Sequence, residues 1–136
     1  MAIQWMNDAQ EAGGGMPKVL IVDDSPAQLY GLRRIVESGG HQAVIADSGE
    51  EALRLAANER PEVILMDIVM PGMSGYQAAR KLSKSESTRH IPVIFVSARS
   101  GEADRAWGLR QGAREYVTKP VNQNALLSAI SEVMAA

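Results

Sequence analysis

Five short apolar runs constrain this 136-residue chain more than anything else in it. Residues 18–22, 42–46, 62–66, 92–96 and 115–118 alternate with longer stretches whose apolar residues recur at helical spacing. Four of the runs are rich in β-branched residues and three are almost continuously apolar, the pattern of strands buried on both faces. Between the runs, Leu29, Leu32, Ile35 and Val36 share one helical face, as do Ala52, Leu53, Leu55 and Ala56. The helix starts are marked. Ser25 before Pro26 suits a cap followed by proline at the first helical position, and Ser48 with Glu51 has capping-box spacing. Gly39-Gly40 suits the stop of the first helix. Strands alternating with helices predict an α/β fold, a doubly wound five-stranded parallel sheet with five helices and right-handed crossovers.

Such a sheet gathers the residues that end its strands. Asp23 and Asp24 close the first run and Asp67 closes the third. With the strands parallel, these carboxylates converge on the edge where open α/β sheets place their ligands. Like charges so close are costly unless a hard divalent cation sits among them, and Mg2+ is the best match to an all-carboxylate set. The loop Met70-Pro71-Gly72-Met73-Ser74-Gly75 puts a rigid turn directly beyond Asp67, with Pro71 fixing φ and the glycines permitting conformations closed to other residues. Ser97 ends the fourth run and Lys119-Pro120 follows the fifth, so both reach the same edge. A hydroxyl can hydrogen-bond a phosphoryl oxygen, and an ammonium offers it a point charge. Together these residues describe a carboxylate nucleophile, a metal and two groups that stabilise charge on a transferring phosphoryl.

Composition removes other classes of function. With 14 Lys+Arg against 16 Asp+Glu the net charge is -2, and no local basic patch points to nucleic acid or an anionic membrane surface. The chain has no cysteine, which excludes a disulfide, a thiolate nucleophile and a zinc–cysteine site. The apolar runs are too short to span a bilayer and the first residues lack a secretory pattern, so a cytoplasmic protein without membrane insertion is expected. Residues 1–15 show no periodicity and end in Gly13-Gly14-Gly15, which reads as a flexible N-terminal extension ahead of a domain over residues 16–136. Within the extension, Trp5, Met6 and Ala9 would share a face if residues 3–12 were helical.

Asp23-Asp24, Asp67 with Met70-Pro71-Gly72, Ser97-Ala98, Tyr116 and Lys119-Pro120 resemble the receiver domain of two-component response regulators, the CheY-like fold, over residues 17–136. Order, spacing and strand-end placement agree at once, which is more specific than any single motif. Residues 65–72 (LMDIVMPG) and 107–121 (WGLRQGAREYVTKPV) are most similar to the stand-alone PilH-type regulators of type IV pilus twitching motility.

The resemblance implies a flavodoxin-like strand order 2-1-3-4-5 and a role for each site residue. Asp67 would be the phosphoacceptor for a CheA-like histidine kinase. Asp24, Asp67 and the backbone carbonyl of Val69 would hold Mg2+, with Asp23 acting through a metal-bound water. Lys119 would contact Asp67 and then a phosphoryl oxygen. Ser97 would swing toward the phosphoryl group, and Tyr116 would turn inward into the space it vacates. The bond before Pro120 would be cis. The surface of the fourth helix, fifth strand and fifth helix would then switch its contacts with a downstream motility protein. The implied protein is a phosphoacceptor rather than an enzyme, with only self-catalysed phosphotransfer and autodephosphorylation, and a monomer or weak dimer.

Val69 and Arg99, each two residues past a site residue, flank the path of a water attacking the acyl phosphate. Valine cannot orient that water, whereas Arg99 can shield or pair with the phosphoryl group, so both are expected to tune its lifetime. Tyr116 without the family reads as core packing. Trp107, in the fourth helical segment, is assigned to a partner surface, because that helix belongs to the output face in the family. His41 and His90 precede strands without metal-like spacing and are expected to face solvent.

Other functions fit less well. A phosphohydrolase with Asp67 as nucleophile would place a second acid two residues later, where this chain has Val69. An unphosphorylated scaffold would have no need of the acids, Ser97 and Lys119 together. A phosphate sink, or a regulator in a chemotaxis or phototaxis circuit, would leave much the same residues. A DNA-binding helix-turn-helix after Ala136 is not expected.

Overall fold

The computed structural model describes residues 16–135, so the extension over 1–15, and with it the helix considered for residues 3–12, lies outside the described residues. Strands and helices alternate along the chain as β1 (Lys18–Val22), α1 (Pro26–Ser38), β2 (Gln42–Ala46), α2 (Gly49–Glu59), β3 (Val63–Met66), α3 (Gly75–Lys84), β4 (Val93–Ser97), α4 (Glu102–Arg110), β5 (Glu115–Thr118) and α5 (Gln123–Ala135). The strands pair in parallel in the order β2-β1-β3-β4-β5, as expected.

The near-continuous apolar runs become the inner strands. Every residue of β3 and β4 is buried, while the outer strands β2 and β5 are partly exposed. Because successive side chains point to opposite faces, each inner strand feeds two cores. Leu20, Val22, Ile64, Met66 and Phe95 pack on one face with Ala52, Ala56, Ala78 and Leu82 from α2 and α3. Val19, Ile21, Val63, Leu65 and Ile94 pack on the other with Leu29, Leu32, Val36, Leu126 and Ile130 from α1 and α5.

Strand starts differ from the sequence reading by one residue. Glu62 donates its N–H to the Lys18 carbonyl at 2.9 Å and accepts the Lys18 N–H on its carboxylate at 3.0 Å, so it anchors β1 rather than opening β3. Pro92 has no N–H to donate, and β4 runs from Val93 to Ser97 instead of over residues 92–96. Ser25 caps α1 through the Gln28 N–H at 3.3 Å, and Ser48 caps α2 through the Glu51 N–H at 3.1 Å. A two-way capping box is formed by Ser74 and Gln77 at the start of α3, just past Asp67, with bonds of 2.9 and 3.2 Å.

His41 departs from the expectation of solvent exposure, whereas His90 is exposed. The turn through Gly39 and Gly40, the latter at φ 86°, folds the chain back so that the His41 N–H bonds the Val36 carbonyl at 3.2 Å. The ring is thereby tucked against Gly39 at the end of α1, and its Nδ1 has no partner among the described residues.

Ile64, fully buried in the central strand β3, tests this two-sided core. Ile64→Ala is expected to lower the unfolding free energy by about 2–5 kcal/mol, read from the denaturant midpoint at unchanged slope.

Candidate functional site

The parallel register delivers the acids to one edge. The Asp67 N–H donates to the Val22 carbonyl at 2.9 Å and the Asp23 N–H to the Ala46 carbonyl at 3.2 Å, so the ends of β1, β2 and β3 are tied side by side. One carboxylate oxygen from each of Asp23, Asp24 and Asp67 lies within 4.8 Å of the others. The Lys119 N–H bonds the Ser97 carbonyl at 2.8 Å, which holds the end of β5 beside that of β4. The Lys119-Pro120 bond is cis, as the resemblance implies.

From there the Lys119 ammonium reaches over the sheet edge. Its Nζ donates to Asp23 Oδ2 at 2.9 Å and lies 3.7 Å from Asp67 Oδ2. Asp23 is buried and doubly committed, since its Oδ1 also accepts the Ser25 N–H at 3.0 Å. Asp24, next in sequence, is exposed. The two members of the pair therefore differ in kind: one is a fixed internal anion, the other a free carboxylate at the mouth. Asp67 Oδ1 accepts the Ile68 N–H at 2.8 Å. Burial pushes the Asp67 carboxyl above the ordinary carboxylate range; Lys119 and the Ile68 N–H oppose that shift, and Asp23 and Asp24 add to it.

The loop beyond Asp67 owes its shape to two glycines acting differently. Gly72 sits at φ 74°, a conformation that glycine adopts freely. Gly75 has ordinary φ but no room: a Cβ there would collide with the Asp67 carbonyl, and its N–H bonds the Ile68 carbonyl at 2.8 Å. Conformational freedom was the expected reason for both, and close approach of backbone to backbone is the reason at Gly75. Val69, in this loop, is 60% exposed.

On the neighbouring side, Ser97 is buried and its Oγ accepts the Arg99 N–H at 3.1 Å. The Arg99 guanidinium lies 3.5 Å from Asp104 on α4. Tyr116 is buried, and its hydroxyl donates to the Arg99 carbonyl at 2.7 Å. The ring is thus already inside while Ser97 keeps its bond to Arg99, so the inward seat does not require Ser97 to move first. Trp107 stands half exposed on α4 and meets Tyr76 edge to face at 6.5 Å, and Tyr76 meets Phe95 likewise at 5.4 Å. Tyr76 carries no motif of its own in the sequence. The capping signal Ser74 with Gln77 was the available pointer to this stretch.

The donor set fits a hard cation. Three carboxylates against one ammonium leave two negative charges, all on oxygen, and the freest oxygens belong to Asp24 and Asp67. An acid raised by burial beside a cation-competent pair and a lysine is suited to act as an oxygen nucleophile toward phosphorus.

A family model, response regulator receiver domain, matches residues 19–131. Over 120 residues the chain is 50% identical to Protein PilH of Pseudomonas aeruginosa, which covers 88% of this chain and 99% of that protein. Its fold is similar to that of the chemotaxis protein CheY4 of Vibrio cholerae, with a TM-score of 0.81 and 28% identity over 88% of this chain and 99% of the other. It is also similar to the receiver domain of a sensor histidine kinase from Pseudomonas aeruginosa, a structure with a magnesium ion coordinated in the active site cleft. There the TM-score is 0.83 with 27% identity, over 90% of this chain and all of the other. No helix among the described residues is long and apolar enough to cross a membrane.

The raised carboxyl at Asp67 has a consequence for stability. A carboxyl that folding pushes upward contributes stability in its protonated form, and that contribution is lost as pH rises through the folded-state value. Asp67→Asn, neutral at every pH, is therefore expected to raise the unfolding midpoint in chelator at pH 7. The advantage should shrink as the pH is lowered through the carboxylate range. Thermal unfolding of both proteins across that range checks this; an advantage that grows toward acid pH would contradict it.

Proposed function

This chain belongs to the response regulator receiver domain family, whose members are phosphoacceptors of two-component systems, and on that premise we propose that Asp67 is its phosphoacceptor. The observation that carries the proposal is Lys119, whose ammonium ties buried Asp23 at 2.9 Å and faces Asp67 at 3.7 Å. An Asp67 oxygen attacks the phosphorus of a phosphohistidine on the kinase. The P–N bond breaks as the P–O bond forms, the imidazole nitrogen leaves with the electron pair and takes a proton, and Asp67 becomes an acyl phosphate. The negative charge added at Asp67 meets the Lys119 ammonium, which is already fixed by Asp23 and need not be recruited. The Ser97 hydroxyl, whose oxygen accepts the Arg99 N–H, would turn to donate to a phosphoryl oxygen.

Mg2+ fits the same edge, where Asp24, Asp67 and the Val69 backbone carbonyl would hold it with Asp23 acting through water, and when bound it would supply charge neutralisation on the phosphoryl oxygens. The magnesium-bearing relative supports this assignment. Val69, exposed beside the acid, offers no hydrogen bond to an attacking water, which favours a long-lived acyl phosphate. Arg99, whose guanidinium lies 3.5 Å from Asp104, would have to leave that partner to shield the phosphoryl group from the other side.

The kinase, of a CheA-like kind, would approach along α1. A groove of about 520 Å3 between α1 and the loop after β5, lined by Gly31, Leu32, Ile35, Ala98 and Pro120, opens beside Lys119. The output surface would be α4, β5 and α5, with exposed Trp107 as an anchor for a downstream motility protein. Half-identity to PilH along nearly its whole length supports a role in type IV pilus motility, in the cytoplasm, as a monomer or weak dimer.

Intact mass after incubation with a small phosphodonor tests the chemistry. A single phosphoryl adduct is expected that needs both Mg2+ and Asp67, being absent from Asp67→Asn; no adduct under any condition would leave an unphosphorylated scaffold, and donor consumption without an adduct would favour the phosphohydrolase. The groove makes a separate prediction. A Cβ at Gly31 meets nothing within 4 Å, so Gly31→Leu fills the groove without disturbing the core. Transfer from the kinase should fall about tenfold or more, the effect of about 1.4 kcal/mol of lost contact, while labelling by the small donor is unchanged.

A further inference from the structure

We propose that Gly108 on α4 is a positioning residue for the switch: the missing side chain there is the seat of the Tyr116 ring, and so decides whether the phosphorylation site and α4 are coupled. This rests on the phosphoacceptor reading of Asp67 for its consequence, although the seat itself does not. A Cβ on Gly108 would lie 2.8 and 3.0 Å from Tyr116 Cδ2 and Cε2 and 3.1 Å from Phe95 Cδ2. These are side-chain atoms of rings, not backbone, and the Tyr116 ring is the one that can leave, because Phe95 is fully buried between sheet and helices. The main chain of Tyr116 cannot follow. Its carbonyl accepts the Arg105 guanidinium of α4 at 2.9 Å, and β5 is paired with β4 on either side of it.

The seat matters because of what the phenol holds. Tyr116 donates to the carbonyl of Arg99 at 2.7 Å, while the N–H of the same residue donates to Ser97 Oγ at 3.1 Å. One residue of main chain therefore joins the hydroxyl beside the phosphoacceptor to the ring against α4. If Ser97 turns toward a phosphoryl group, the Arg99 N–H loses its acceptor, and the Tyr116–Arg99 bond is what keeps the loop registered on α4. The neighbour of Gly108 is Trp107, whose indole covers Tyr76 and stands half exposed, so a shift of α4 at this point reaches the surface directly.

The direct test uses protein labelled with 3-fluorotyrosine, which carries three tyrosines, the Tyr116 signal being assigned by Tyr116→Phe. In the wild-type protein that signal should resist broadening by a soluble paramagnetic agent. In Gly108→Ala it should broaden as the signal of exposed Tyr30 does, while a small phosphodonor with Mg2+ still yields the single adduct. Adding the donor should then shift the Tyr116 signal in wild type and leave it unmoved in Gly108→Ala. A protected Tyr116 signal in Gly108→Ala, or an equal donor-induced shift in both proteins, would overturn the proposal. If the wild-type protein formed no adduct, the phosphoacceptor reading would fall and the coupling with it, yet the broadening comparison would still decide the seat. A second measurement covers the case in which Gly108→Ala folds poorly. With the ring removed by Tyr116→Ala, adding Gly108→Ala should raise the folding equilibrium constant about two- to fivefold, the gain of alanine over glycine in a helix. The same gain in both backgrounds would show that the ring and the methyl do not compete.

Discussion

The arrangement depends on one ion pair. Lys119, at the end of an outer strand, reaches across β4 and β3 to Asp23 at the end of β1, and in doing so makes the gathering of three carboxylates tolerable. Burying such a pair has a desolvation cost that its own attraction need not cover, so the pair is not there for stability alone. Its second partner on Asp23, the Ser25 N–H, belongs to the residue that also caps α1. The same carboxylate thus orders the lysine and the start of the first helix. Asp67 keeps its Oδ2 3.7 Å from the ammonium, close enough to feel it and far enough not to be consumed by it.

Around that charge arrangement the chain leaves space where side chains would obstruct. At Gly75 the main chain of α3 presses on the Asp67 carbonyl, which fixes the height of the acid above the sheet. At Gly108 an aromatic ring lies where a methyl would be, and its hydroxyl is wired through Arg99 to Ser97. At Gly31 the opening faces outward into the groove beside Lys119. The height of the acid, the seat of the Tyr116 ring and the open groove each rest on an absent Cβ.

Much of this was legible in the chain itself. The apolar runs became strands within one residue of their predicted ends, because a strand buried on both faces must be apolar throughout and a polar residue marks where it leaves the core. Asp23, Asp24, Asp67, Ser97 and Lys119 were each found as the residue closing a run or following one. Less legible were residues whose state depends on what lies opposite. His41 looked like a loop residue and is buried by a turn. Arg99 was read toward the phosphoacceptor, and its guanidinium meets Asp104 of α4. The glycines after Pro71 were read as conformational, and one of them is steric.

Periodicity and strand-end chemistry are local properties, so the sequence by itself determined the alternation of strands and helices, the shared edge and the residue types gathered there. The tertiary structure decided how those residues differ. It made Asp23 an internal anion and Asp24 a free one, raised the Asp67 carboxyl by burial, and seated Tyr116 against a glycine eight residues earlier. Such differences arise from burial and from distances between residues as remote as 23 and 119, which exist only once the sheet has brought them together.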